Sequence, residues 1–150
     1  MSEQIKNLSQ NPEQLRIAIN SAESYPEMAK IALVILNSME DPVIELCGPI
    51  STGGLGSVEK NLERFDKKIK ELKSSGINVF DQIPFEIPMQ KLKLKPNFKP
   101  IDLLEGFYLP LLESGKIKSL YFLPDWQSSF GARWEHDQAK RLGIEIVFLD

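Results

Sequence analysis

One cysteine, Cys47, and one histidine, His136, are all that this 150-residue chain has of either. A lone cysteine closes no internal disulfide and fits a reducing compartment. With a single histidine beside it, a Cys/His zinc site is not expected. Long hydrophobic runs are missing too: the longest, Ile31–Leu36, is far too short to span a bilayer. There is no surplus of positive charge. The net charge of −3 gives no electrostatic reason to expect a nucleic acid polymer or an anionic membrane as partner. The start, Met1–Gln10, is polar and carries no secretory signal. A cytoplasmic location is expected by default.

What remains is a composition of 42% hydrophobic and 26% charged residues, enough for one domain with a real core. Asn11-Pro12-Glu13 starts a helix, and a second is expected from Pro26 to Met39. Neither carries a chemical motif, so residues 1–40 read as an N-terminal helical extension, a cap or an oligomer surface. Residues 41–150 read as an α/β domain. Val43–Cys47, Ile77–Phe80, Leu120–Leu123 and Glu145–Leu149 are the expected strands. Ser57 caps an amphipathic helix in which Val58, Leu62, Phe65, Ile69 and Leu72 share one face, and Gly76 ends it. Gln82–Pro100, with its prolines and alternating lysines, reads as a long loop with room for an edge strand. Ile101–Ser114 reads as a helix kinked at Pro110, and Gly131–Leu142 as a helix between the last two strands. Alternating strands and helices favour a parallel sheet covered on both faces. Ligands of such sheets bind at the carboxyl ends of the strands, here Gly48–Gly56, Asp81–Pro84 and Pro124–Ser129.

On the Gly131–Leu142 helix, Ala132, Glu135, Ala139 and Leu142 fall in one narrow stripe. Its small and apolar members turn the stripe inward. A carboxylate there, expected in the first turn, is out of place for packing. It is either paired with an unidentified partner or open to a cleft, where it becomes a candidate nucleophile or base. The loop Gly48-Pro49-Ile50-Ser51-Thr52-Gly53-Gly54-Leu55-Gly56 joins a strand to a helix and suits close backbone approach to a nucleoside or phosphate. It matches neither a P-loop nor a dinucleotide fingerprint; a plain βα turn explains it equally. Ser128 and Ser129 precede a helix, where one serves as cap and both together hold phosphate or hydroxyl oxygens. Asp81, Asp102, Glu105 and Asp125 compete for the role of a second carboxyl, against surface charges or helix caps; glycosidic cleavage commonly uses two. Trp126 and Trp134 suit base stacking or core packing. His136 reads as a surface residue, and Lys91, Lys93, Lys95 and Lys99 as a solvated loop or an attractor of phosphate.

Three segments resemble a known family. Ile44-Glu45-Leu46-Cys47-Gly48-Pro49-Ile50-Ser51 looks like the first strand and Gly-Pro turn of the nucleoside 2-deoxyribosyltransferase-like superfamily. Asn61 and Phe65 resemble an Asn and an aromatic of one uncharacterised branch. The stretch from Leu123 to Glu135 is similar to that branch's Leu-Pro-x-Trp-x-x-Ser-x-Gly-Ala-x-x-Glu signature. The resemblance covers residues 43–150. It implies a flavodoxin-like parallel sheet of four to five strands with helices on both faces. It places Glu135 on the catalytic glutamate, which attacks the anomeric carbon and forms a covalent sugar–enzyme intermediate. Asp102 matches the catalytic aspartate best, with Glu105 as rival. Ser129 stands where transferases hold an acidic residue, a departure that leans toward a 5′-monophosphate ligand. The superfamily's tyrosine near the first strand has no counterpart in Cys47–Ser51.

The expectation is therefore cleavage or transfer of an N-glycosidic bond on a nucleoside or nucleoside 5′-monophosphate. Glu135 is the nucleophile and Asp102 its helper. Gly48, Ser51, Gly53, Gly54, Asn61, Asp81, Trp126, Ser128, Ser129 and Gly131 bind substrate. No metal or cofactor is required, and a homo-oligomer is implied by the resemblance. The rival is a non-catalytic nucleotide-binding or sensor module with the same pocket; a flavoprotein is a third, weaker reading.

Overall fold

The computed structural model describes residues 11–150; the polar start at 1–10, and with it the reading of the N-terminus, lies outside the described residues. Two helices come first. Helix α1 (Pro12–Ser21) is capped by the Asn11 side chain, and α2 (Tyr25–Ser38) by that of Ser24. Strand β1 (Val43–Cys47) is buried along its whole length. Helix α3 (Val58–Ser74) follows, with Ser57 accepting from the Lys60 amide. Then come α4 (Ile83–Leu92), a helical run made of α5 (Pro100–Leu103), a π turn (Leu104–Tyr108) and α6 (Leu109–Glu113), strand β2 (Ile117–Phe122), helix α7 (Phe130–Leu142) and strand β3 (Glu145–Phe148).

The sheet is parallel, in the order β1-β2-β3, with Glu45 opposite Leu120 and Cys47 opposite Phe122. It has three strands among the described residues, fewer than the four to five expected. The missing one is Ile77–Phe80, which meets β1 only through an isolated bridge between Ile44 and Val79. The segment turns away too soon to extend the ladder, because α4 begins at Ile83 with the Asp81 carboxylate accepting from its amide at 3.0 Å. Counting that segment, the spatial order runs 77–80, β1, β2, β3. The chain therefore reverses its direction of advance between β1 and β2, the position at which open α/β sheets form a ligand crevice.

Alternation along β1 sends Ile44 and Leu46 to one face and Val43, Glu45 and Cys47 to the other. On the first face Phe65, Ile69 and Leu72 of α3 close over Ile44, Leu46, Val79 and Leu123. The second face holds the larger core, to which α2, α4, the π turn, α6 and α7 all contribute. Residues 12–38 thus pack into the same core as the sheet.

Two stretches differ from their sequence reading. Gln82–Pro100 is not mainly loop, since α4 fills its first half. Pro84 lies in the first turn, where its missing N–H costs nothing, and the loss at Pro88 is offset by burial of Phe85 and Met89. The run around Pro110 is not simply kinked. It widens into the π turn, where the Leu109 amide reaches Leu104 O, one residue beyond the α pattern. Gly106 lies within that turn against Tyr25, and a Cβ there would come within 2.9 Å of the Tyr25 Cβ.

Candidate active site

A cavity of about 280 Å³ opens beside the carboxyl ends of β1 and β2, on the larger-core face. Gly48, Ile50, Ser51 and Thr52 form one wall. Gln82, Glu86 and Lys93 come from α4 and its end, Leu103, Leu104 and Tyr108 from the π-turn region, and Ser129, Phe130, Gly131, Ala132 and Glu135 from α7. Most of the lining is apolar. The polar groups are few and converge, as in small-molecule sites.

Glu135 is 6% exposed and lines this cavity. It occupies the second turn of α7 rather than the first, because the helix starts at Phe130 with Ser129 as its cap, the Ala132 amide donating to Ser129 Oγ at 3.2 Å. The helix dipole therefore assists its anion less than a first-turn position would. No lysine or arginine forms an ion pair with it among the described residues. Burial pushes its pKa up to about 7, with the adjacent Glu45 carboxyl and Cys47 thiol opposing.

Glu45 is the residue that the sequence reading passed over. It is fully buried in the middle of β1, directly behind Glu135. Ligating atoms of Glu45, Cys47 and Glu135 all lie within 4.8 Å of one another. Burial first, then the Glu135 charge, holds the Glu45 carboxyl well above the usual range, and burial raises the Cys47 thiol likewise. One soft sulfur and two hard oxygens, each biased toward its protonated form, suit a shared proton better than a metal ion. A signal was present: a carboxylate inside Val-Ile-Glu-Leu-Cys, a run otherwise as apolar as a central parallel strand should be.

Glu86 and Tyr108 form a second buried pair. The tyrosine hydroxyl donates to Glu86 Oε1, and Gln82 Nε2, which also donates to Leu46 O at 3.2 Å, lies 3.5 Å from that hydroxyl. Burial raises the Glu86 pKa, with the Tyr108 bond and the Lys93 charge opposing. Lys93 donates to Ser51 Oγ at the cavity wall, and burial lowers its pKa. Of the four lysines read as one group it alone lines the cavity; Lys95 instead donates to Glu23 O at 2.9 Å. Glu86 was hidden because it stands on a helix that the sequence presents as a proline-rich loop, and Tyr108, on a segment read as a kinked helix, meets it only through tertiary packing.

The other expected residues divide. Gly48, Ser51, Ser129 and Gly131 line the cavity with Glu135. Gly53, Gly54, Asn61, Asp81, Trp126, Ser128 and Asp102 are not among its lining residues. Asp102 is exposed and its carboxylate accepts from the Lys99 amide at 3.2 Å, a helix cap rather than a partner for Glu135. Its rival Glu105 is exposed as well. Asn61 is a buried tie: its Oδ1 accepts from Leu55 N at 2.8 Å and its Nδ2 donates to Ile50 O and Gly53 O at 3.0 and 3.2 Å. Ser128 Oγ accepts from Gly54 N at 2.9 Å and donates to Asp125 O at 2.7 Å. Gly53 and Gly54 have positive φ, and a Cβ on Gly53 would fall 2.2 Å from Ser128 O. They let two loops interlock. Asp125 is held by Arg64 in a two-pronged pair at 2.9 and 3.0 Å. Trp126 stacks on His136, with ring centres 4.7 Å apart, and on Phe148. His136 is thus mostly covered, not a surface residue; its side chain is 17% exposed.

The geometry defines a class: an α/β domain with a largely apolar cavity at its switch point and buried carboxyl groups at the cavity's inner end. Residues 42–148 match the family described as Domain of unknown function (DUF4406), and the chain belongs to that family. No curated protein and no solved structure matches it. No helix among the described residues is long and apolar enough to cross a membrane.

Proposed function

We propose that the protein cleaves or transfers the N-glycosidic bond of a nucleoside or nucleoside 5′-monophosphate, with Glu135 as nucleophile. The observation that carries this reading is a buried carboxyl, without a cationic partner among the described residues, facing a 280 Å³ cavity at the sheet's switch point. The resemblance of Leu123–Glu135 to the deoxyribosyltransferase-like signature supports it, as does the doubly wound, flavodoxin-like order of the strand segments. The apolar walls suit a base and a sugar ring. Lys93, Ser51 and the start of α7 supply donors for phosphate or sugar oxygens.

In the first step a Glu135 oxygen bonds to the anomeric carbon. The carbon–nitrogen bond breaks, its electron pair stays on the base, and the base nitrogen takes a proton from Glu86, a cavity acid whose pKa burial raises. In the second step water, or the nitrogen of another base, bonds to the same carbon. The Glu135 carboxylate is released and the incoming group's proton returns to Glu86. Asp102 has no part in this sequence, because its side chain is engaged as a cap outside the cavity.

The test is incubation with a panel of nucleosides and nucleoside 5′-monophosphates, followed by chromatography for free base. The reading expects base release that Glu135→Ala abolishes with the fold unchanged. Normal turnover by that variant would overturn it. A thermal shift with nucleotides but no base release would instead assign the cavity to a binding or sensing module.

A further inference from the structure

Glu45 is not among the residues that line the cavity. Yet it is a carboxyl sealed inside a central parallel strand, where an aliphatic side chain would serve packing better. Its neighbours narrow what it does. Cys47 on β1 lies 4.0 Å away, sulfur to Oε2. The charges of Glu135 on α7 and Glu86 on α4 act on it, Tyr108 in the π turn feels its charge in turn, and Lys93 donates to Ser51 at the cavity wall. No lysine or arginine pairs with Glu45 among the described residues. Among the described residues, no N–H or O–H donates to the buried Glu45 Oε1 or Glu135 Oε2. One oxygen of each carboxyl lies within 4.8 Å of the other, and two acceptor-only carboxylates brought together can satisfy each other only with a proton between them.

From this geometry we infer that Glu45 is a positioning residue: it stays protonated and donates to Glu135, fixing the orientation of that carboxyl and keeping it anionic at the inner end of the cavity. Two adjacent carboxyls in a dry site carry one proton between them. The one sealed inside the strand keeps it, and the one touching the cavity carries the charge. The bond does for Glu135 what a cation would do, without neutralising it. The inference rests on the proposed role of Glu135 only for its kinetic readout.

The test compares Glu45→Gln, which retains an N–H donor, with Glu45→Leu, which fills a similar space without one. The first readout needs no activity: the titration of Glu135 followed by carboxyl NMR of the labelled protein. We expect its midpoint to stay within about one unit in Glu45→Gln and to rise by a unit or more in Glu45→Leu. Equal midpoints in the wild type and Glu45→Leu would overturn the proposal. Infrared spectroscopy adds a check should Glu45→Leu fail to fold. A protonated-carboxyl band should persist in the wild type at pH 8 and lose intensity in Glu45→Gln; an unchanged band overturns the proposal. So would a divalent cation retained stoichiometrically between the carboxyls after dialysis. The second readout is the pH profile of base release, whose acidic limb should move upward in Glu45→Leu alone. If no base is released from any substrate, the proposed function fails, while the titration still decides the role of Glu45.

Discussion

The two faces of β1 are built on opposite terms. On one, Ile44 and Leu46 meet Phe65, Ile69 and Leu72 of α3 in a cluster without a buried charge. On the other, Glu45 and Cys47 share their burial with Glu86, Tyr108 and Glu135, next to a cavity. The first face gains stability from every contact. The second holds three carboxyl groups whose desolvation opposes folding whenever they ionise. A strand five residues long thus separates a face that supports the fold from one that strains it, and the cavity lies on the second. Groups kept at such cost suit chemistry, in which a poised acid and a poised base are needed together.

The largest effect that would test this division is on the dry face. Phe65→Ala removes a fully buried ring from the α3 interface and should cost about 3–5 kcal/mol in urea unfolding. Any turnover that survives should keep its pH profile. A shifted profile would show that the faces are not separate.

Next comes the pH dependence of stability. The folded Glu135 pKa is raised to about 7, against about 4.3 for an unfolded glutamate. Between those values the folded state holds a proton that the unfolded chain has lost, so stability falls as pH climbs through the window. The contribution is whole below about 4.3 and gone above about 7. Glu45 and Glu86, raised as well, act in the same direction. Glu135→Gln should therefore be more stable than the wild type at pH 8, by on the order of 2–3 kcal/mol, and equal to it at pH 4. Thermal melts at the two pH values would measure this, and a wild type that gains stability with rising pH would contradict the account.

Much of the dry face was legible in the sequence and little of the carboxyl face was. The apolar repeat from Val58 to Leu72 announces α3, and β1 and the stripe carrying Glu135 show as clearly, because periodic burial leaves a local trace. The partners of Glu135 leave none. Glu86 comes from a segment whose prolines hide a helix and Tyr108 from one read as a kinked helix, and they meet only through tertiary packing. Asp102 has the right residue type and the wrong position, as its own helix start takes up the carboxylate. Residue type and spacing also cannot separate a glycine that meets a ligand from one that lets two loops cross, which is what Gly53 and Gly54 do. Glu45 was the exception, an anomaly visible in the strand itself.

A smaller effect belongs to the loop between the faces. Asn61→Ala leaves the Leu55 amide and the Ile50 and Gly53 carbonyls without their partner, and should cost about 1–3 kcal/mol. Faster amide exchange should be confined to residues 50–56. If Asn61 instead contacted substrate, binding would weaken with exchange in the loop unchanged.

The smallest effect is the most discriminating. Asp125 stands on the loop after β2, near the cavity and of the type that glycosidic chemistry uses, but Arg64 of the dry-face helix holds it from outside. The pair is half open to solvent, with side chains 27% and 34% exposed, so screening leaves it worth under about 1 kcal/mol, and less as salt is added. Asp125→Asn should therefore shift the melting midpoint slightly and leave base release near the wild-type rate, whereas Glu135→Gln abolishes release while raising stability at pH 8. The two variants move stability and activity in opposite patterns, and only the carboxyl face can produce the second. Should Asp125→Asn lower base release more than about tenfold with the fold intact, the working carboxyl pair would lie on the loop, and the contrast between the faces would no longer locate the chemistry.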